Sequence, residues 1–404
     1  MRKTLIIVLA VILTLALSVT SVTLAAGGKK EVNLAQEAGQ SWLDSTVAVT
    51  KEPLEWIGAQ LTAPQVYYDL KGKPNAYMFA IENDGEVVGY ITVGSSDYGY
   101  PMFEAADVPP PSIPSADEVK STLKRDLGLD VASVGRPARL LYLGFDNIFA
   151  VYQADGQEVA VDLKFDVAVR VSNLTDIVAM PSPEEYKADK EAAEQAKLEE
   201  LADSNPTAQS RSSNCLLMFH WCYKYCADCN PEYKCWCGPS SGTSIGAYYK
   251  YYHSPQYTGL PEAYPNKCPM YLELFDEMST SCSTGGTSTT NYGPGFVQMT
   301  KNHGYYNFSH VTVKWPSNYY PNIKSYIDSG WPTALRAYRF YDDIGGNPDF
   351  PPPKAHYVAI KGYYDGWHGY DRVLICTDSY SQSDWLYLNY GILGLFPWYI
   401  TIKD

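Results

Sequence analysis

Apolar positions along the first half of the chain recur with two different periods. From Val32 to Val47 they fall at helical spacing, with Leu34, Ala38, Trp42 and Leu43 on one side, which predicts a short amphipathic helix. Ala76 to Ile81 and Val87 to Val93 alternate or run apolar around Asn83-Asp84-Gly85. Those three residues tolerate a positive φ, so the two runs predict a β-hairpin. Ser115-Ala-Asp-Glu118 sets a hydroxyl and a carboxylate at the spacing of a capping box, and a helix is expected from there to about Leu127. Leu140 to Leu143, Ile148 to Tyr152, Val159 to Leu163 and Val167 to Val171 follow as short strands, with Asp155-Gly156 at one turn. Residues 27–180 are therefore expected to form an α+β unit, and it contains no cysteine or histidine and no nucleophile–base set.

The pattern changes over residues 181–214. Pro183-Glu184-Glu185 opens a charged, alanine-rich stretch through Leu201 with almost no apolar face, and Asp203 to Ser213 is polar and rich in turn formers. A helix that is polar all round is more often a spacer than a packed element, so this stretch is read as the join to a second domain, residues 215–404. Exposed joins are also where proteases cut most easily. In the second domain, helical pieces are expected near Tyr271 to Met278 and Asn322 to Ile327. Tyr292, Tyr305, Tyr306, Tyr319 and Tyr320 fit the rim of a core better than a ligand groove. His356 opens an apolar run to Gly362, Asp365-Gly366 begins a turn, and Val373 to Thr377 returns as a strand ending at Asp378. An antiparallel ribbon brings the start of its first strand near the end of its second, which places His356 near Asp378.

Arg2 and Lys3, the apolar run from Leu5 to Leu17 and the small residues up to Ala26 read as a secretory signal over residues 1–26, with an uncleaved membrane anchor as the alternative. A secreted location is expected. All nine cysteines lie between Cys215 and Cys376, which in an exported chain predicts a disulfide-braced second domain with at least one thiol left over. Cys226-Ala-Asp-Cys229 has zinc-ligand spacing and His220 is nearby, but the extracellular setting favours disulfides, so neither metal nor cofactor is expected. A net charge of −14 argues against a nucleic-acid surface. Asn173 and Asn307 stand in glycosylation sequons.

The chemistry concentrates at Lys234 to Tyr252. Cys237 precedes Gly238-Pro239 and the small polar residues Ser240, Ser241, Thr243 and Ser244, a composition suited to a helix start, and Ile245, Tyr248, Tyr249 and Tyr252 follow at helical spacing. A cysteine at a helix start meets unpaired N–H groups and the positive end of the dipole, which favour thiolate. The small residues are read as leaving room for a substrate backbone. A bridged cysteine is the ordinary reading in such a chain; position and the odd count single out Cys237.

A cysteine at a helix start, a histidine opening a later strand and an aspartate after the return strand together resemble the papain-like cysteine peptidases. The likeness is in particular to the branch of bacteriocin-leader-processing peptidases, with their Cys-Gly and His-x-Val-x-x-x-Gly motifs, here Cys237-Gly238 and His356-Tyr-Val-Ala-Ile-Lys-Gly362. It covers Cys235 to Asp404 and implies an α+β fold: an N-terminal helix bearing the cysteine, an antiparallel sheet bearing histidine and aspartate, and a smaller α+β domain in front. It implies Cys237 as nucleophile, His356 as general base and later acid, and Asp378 as the group that holds the imidazole, acting on a peptide or protein substrate. Asp384 and Asn389 are weaker rivals for the third position. Where the family carries a glutamine as oxyanion donor this chain has Pro231; Asn230 is the candidate beside it, and Gln209 stands much farther upstream. Residues 27–180 loosely resemble propeptide-like domains that assist folding or cover the cleft until the join is cut, as in a zymogen; a generic attached domain is the other reading. Two further functions fit the same residues: acyl transfer of the transglutaminase type, and a Cys-rich surface binding module with a decayed site.

Overall fold

The computed structural model describes residues 26–145, 147–164, 166–174, 180–203, 213–216, 237–263, 269–281, 286–314, 320–338, 355–365, 372–378, 383–390 and 398–404. Residues 1–25 of the expected signal segment, together with His220, Cys222, Cys226, Cys229, Asn230, Cys235, Gln209, Cys268, Cys282, Tyr319 and His368, lie outside the described residues. The α+β class expected from the sequence is what the chain adopts, with helices packed on a large mixed sheet.

The chain opens with α1 (Ala26–Thr50), longer than the apolar spacing suggested. Its buried stripe is Val32, Ala35, Trp42, Leu43 and Thr46, and Leu34 is exposed, because the row at steps of three and four that starts from Val32 is the one that meets the sheet. Gly39 belongs to that row: a Cβ there would lie 2.9 Å from Leu61 and 3.0 Å from Val93. Strands β1 (Gln60–Leu61), β2 (Gln65–Tyr68), β3 (Pro74–Asn83), β4 (Glu86–Gly94) and β5 (Met102–Ala106) follow. The β3–β4 turn puts Asp84 at φ 51° and Gly85 at φ 83°, the paired left-handed residues that match the twist of a tight hairpin. Ser115 caps α2 (Ala116–Leu127) through a reciprocal capping box with Glu118. Next come β6 (Arg139–Tyr142), β7 (Ile148–Ala154), β8 (Gln157–Asp162) and β9 (Ala168–Arg170).

The connecting helix α3 (Pro183–Asp203) is not a spacer along its whole length. Tyr186 in its first turn is buried, 5.8 Å from the Tyr98 ring, and Asp189 pairs with Arg372. One aromatic residue and one charge thus dock the start of a helix whose composition reads as solvated. The second half contributes β10 (Ser213–Cys215), α4 (Cys237–Tyr248), α5 (Pro269–Glu277), α6 (Thr289–Asn302), β11 (Ser309–Lys314), α7 (Tyr320–Asp328), β12 (Thr333–Tyr338), β13 (Ala355–Asp365), β14 (Arg372–Asp378), β15 (Ser383–Asn389) and β16 (Trp398–Lys403). Helix α6 was not expected: Gly293-Pro294-Gly295 in its middle carries the composition of a turn. Among the described residues no helix is long and apolar enough to cross a membrane.

The strands of both halves hydrogen-bond into one sheet, in the order β11-β16-β12-β13-β14-β15-β5-β4-β3-β2-β6-β7-β8-β9, antiparallel except at β2–β6. The halves meet where β15 pairs with β5, with Leu386, Tyr387 and Leu388 opposite Ala106, Ala105 and Glu104. Side chains reinforce this seam. Tyr387 lies 5.4 Å from Trp42 and 5.5 Å from Trp56, and its hydroxyl donates to the Glu52 carbonyl at 2.9 Å. Asp107 accepts from the Ser383 hydroxyl at 2.6 Å and the Trp385 N–H at 3.2 Å. Each aromatic buried here is worth about 1.5–3 kcal/mol against solvent exposure, enough to make the two halves one packed body.

Burial pushes the Asp107 carboxyl above the usual carboxylate range, and its two hydrogen bonds oppose the shift. The folded chain therefore holds this proton to higher pH than the unfolded chain, so the Asp107 share of stability declines as pH rises through that interval. Asp107→Ala, which strips the acceptor from the buried Ser383 hydroxyl, is expected to cost about 1–3 kcal/mol in urea unfolding, with the larger loss on the acid side. An unchanged midpoint at both pH values would remove Asp107 from the seam.

Candidate active site

β13 pairs antiparallel with β14, Ala359 opposite Thr377 and Ile360 opposite Cys376. The start of one strand therefore lies beside the end of the other, and His356 Nε2 sits 2.8 Å from Asp378 Oδ1 with both residues about 2 % exposed or less. An ionised carboxylate only accepts, so Nε2 carries the hydrogen, and in the neutral ring Nδ1 is the nitrogen able to take a proton. Side chains at alternate positions face opposite ways. Val358 and Ile360 share a core with Phe145, whose ring lies 6.3 Å from His356, while Tyr357 and Ala359 face the core formed with α4. Asn389 is committed elsewhere, donating to the Met102 carbonyl at 2.8 Å, and Asp384 lies beside Asp107 and Lys361.

Cys237 is the first residue of α4, half-buried, and everything from Gly238 to Tyr248 is buried. A helix this rich in Ser and Thr survives burial because its hydroxyls bond its own backbone: Ser241 to the Gly238 carbonyl at 2.9 Å, Thr243 to Pro239 at 2.8 Å and Ser244 to Ser240 at 3.3 Å. Ser241 has given its one proton to Gly238, so the Tyr292 hydroxyl, 3.0 Å away, donates to Ser241. Tyr292 is fully buried, not a rim residue, and stacks on Tyr357 at 5.0 Å between ring centroids and 15° between planes. Burial pushes its hydroxyl well above the ordinary tyrosine range, against the opposing effect of its bond with Ser241, so it stays a donor. Tyr357 donates in turn to the Thr287 carbonyl at 3.2 Å, and Thr287 lies against Gly238. The helix start that bears Cys237 is thus tied to the residue next to His356. Tyr252, expected in the core stripe, is exposed, because the helix passes into a π-helical turn at Tyr249–His253.

The glycines of α4 have a different use from the one expected. A Cβ on Gly238 would lie 2.2 Å from Thr287 Oγ1, on Gly242 2.9 Å from Met278 Cε, and on Gly246 2.4 Å from Met270 Sδ. They bring α5 and the segment before α6 against the helix; the room is filled by the protein itself.

Among the described residues, Cys215, Cys237 and Cys376 form no disulfide with one another. Cys376 is buried in the sheet, and burial pushes its thiol up, which makes it a poor nucleophile. His253 bonds Asp404 at 3.0 Å and Tyr248 at 2.9 Å, tying the C-terminal residue to the end of α4, and His303 bonds Glu273 at 2.8 Å. No protein-family model matches the chain, and no curated protein matches it.

Asp378→Ala would leave the buried Nε2–H of His356 without this acceptor. The expected cost is about 1–3 kcal/mol in urea unfolding. Wild-type stability in that variant would show that the contact holds nothing in place.

Proposed function

We propose that the chain is a secreted cysteine peptidase of papain-like fold, with Cys237 as nucleophile, His356 as base and acid, and Asp378 as orienting carboxylate. The observation that carries this reading is the buried His356–Asp378 contact on the strand pair that packs beneath the helix headed by Cys237. Its chemistry fits the roles. Asp378 fixes the Nε2–H tautomer, so Nδ1 accepts the thiol proton, and the helix start favours the resulting thiolate. Because Tyr357, and not His356, faces α4, thiol and Nδ1 meet on this reading around the start of β13.

The thiolate then attacks the scissile carbonyl carbon, and the charge passes to the carbonyl oxygen, where the Cys237 backbone N–H is one candidate donor. The C–N bond breaks as the imidazolium returns its proton to the leaving amine, which leaves a thioester. Water, deprotonated by His356, attacks that thioester and releases the acid. Asn230, the candidate second donor, lies outside the described residues.

Iodoacetamide is expected to label Cys237 at mildly acidic pH, well below the ordinary thiol range of about 8.5. Incubation with a peptide mixture is expected to yield new peptide termini, and Cys237→Ala and His356→Ala each to lower that rate by about a thousandfold or more. Wild-type turnover in either variant would overturn the assignment. An amine adduct or isopeptide in place of new termini would make the enzyme an acyl transferase, and binding without turnover would leave a decayed site.

A further inference from the structure

One residue from the other half of the chain, Phe145, lies against the His356–Asp378 pair, its ring 6.3 Å from the imidazole. Phe145 sits in the β6–β7 turn, on the same face of the sheet as His356, Val358 and Ile360, and is itself buried. The turn is held by its own hydrogen bonds: Leu143 N–H to the Asn147 carbonyl at 2.9 Å, Asn147 N–H to Gly144 at 3.0 Å, and the Asn147 amide to the Phe145 carbonyl at 2.9 Å. Gly144, at φ 110°, permits the bend. From within the first half, the Lys164 ammonium lies 5.2 Å from the centre of the Phe145 ring, and Glu104 lies 3.8 Å from that ammonium. Glu104 is on β5, opposite Leu388 of β15, so the residues that buttress Phe145 are anchored in the seam itself.

We infer that the first half is a permanent part of the site and that Phe145 is a positioning residue for His356, keeping water from the imidazole–carboxylate bond. This rests on the peptidase reading. It departs from a propeptide, which leaves or opens when the join is cut. A dry hydrogen bond between imidazole and carboxylate is stronger than a wet one, and it stabilises the imidazolium that must accompany the thiolate. Removing the ring lets water compete for Asp378 and returns Cys237 toward ordinary thiol behaviour.

The test has two arms on the full chain. In the first, the join is cut by a site-specific protease acting within residues 204–212, followed by size-exclusion chromatography and iodoacetamide labelling of Cys237 across pH. Co-eluting halves with the labelling profile of the intact chain are expected; halves that separate, with the profile kept by the second half alone, would overturn the inference. In the second, Phe145→Ala is expected to move the labelling midpoint up by about one pH unit, about tenfold less thiolate at pH values well below both midpoints, while Phe145→Leu, which keeps apolar cover, stays near wild type. A Phe145→Ala profile identical to wild type would remove the positioning role even if that variant unfolds more easily. An ordinary thiol profile in the wild type would instead end the peptidase reading and Phe145's role with it, and co-elution would still decide whether the halves are permanent partners.

Discussion

Every surface of β13 is in use, and this is the constraint around which the molecule is arranged. One edge is shared by β12 along its first half and β10 along its second; the other edge is held by β14, with a register shift between Ile360 and Gly362. One face carries the core that includes Phe145 and the other carries α4. A strand enclosed in this way must be apolar, or must satisfy each polar side chain at short range. His356 and Lys361 are its buried polar exceptions. His356 meets Asp378, and Lys361 lies 3.5 Å over the Trp385 ring, with burial pulling its ammonium below the ordinary lysine range. Of the two, only the histidine lies at the strand's start, next to the residue that ties β13 to α4.

The same requirement explains the seam. Without each other, β5 and β15 would end their sheets with rows of open N–H and C=O groups, a template for wrong pairing. Joining them removes both edges and also brings Phe145 and its charged supports to the face that carries His356. The fold thus solves an edge problem and a solvent problem with one contact. On the proposed reading, this is how the first half, which holds no histidine or cysteine, bears on the chemistry of the second.

Local features were the most legible in the sequence. Asn83-Asp84-Gly85 and the Ser115–Glu118 box each place a turn or a helix start by chemistry that acts within a few residues, and both stand as read. The His356–Asp378 contact was legible for the same reason, since a ribbon's ends are fixed by its own length. What escaped was decided by partners distant in the chain. Leu34 is apolar at a helical position yet exposed, because the sheet chose another face of α1. Tyr186 docks a helix that composition marks as a spacer, through Tyr98 far earlier in the chain. Helix α6 persists through Gly293-Pro294-Gly295 because Tyr292 and Phe296 are locked into the core, a tertiary gain no propensity records. Phe145 had no signal at all, being one apolar residue in a turn.

The small residues after Cys237 serve a packing role that their composition alone does not reveal. Glycine at three positions four apart lines one side of α4, and each lacks the Cβ that would collide with Thr287, Met278 or Met270. Close approach of this kind fixes a helix around its axis, because rotation would bring larger side chains to those contacts. The helix start is then held from two directions, by glycine contacts along one side and by the Ser241–Tyr292–Tyr357 chain from β13. A nucleophile needs its sulfur placed to within a fraction of an ångström relative to its base, and a loop could not supply that. On the proposed peptidase reading the glycines serve the chemistry by setting where Cys237 stands, and the substrate finds its room elsewhere.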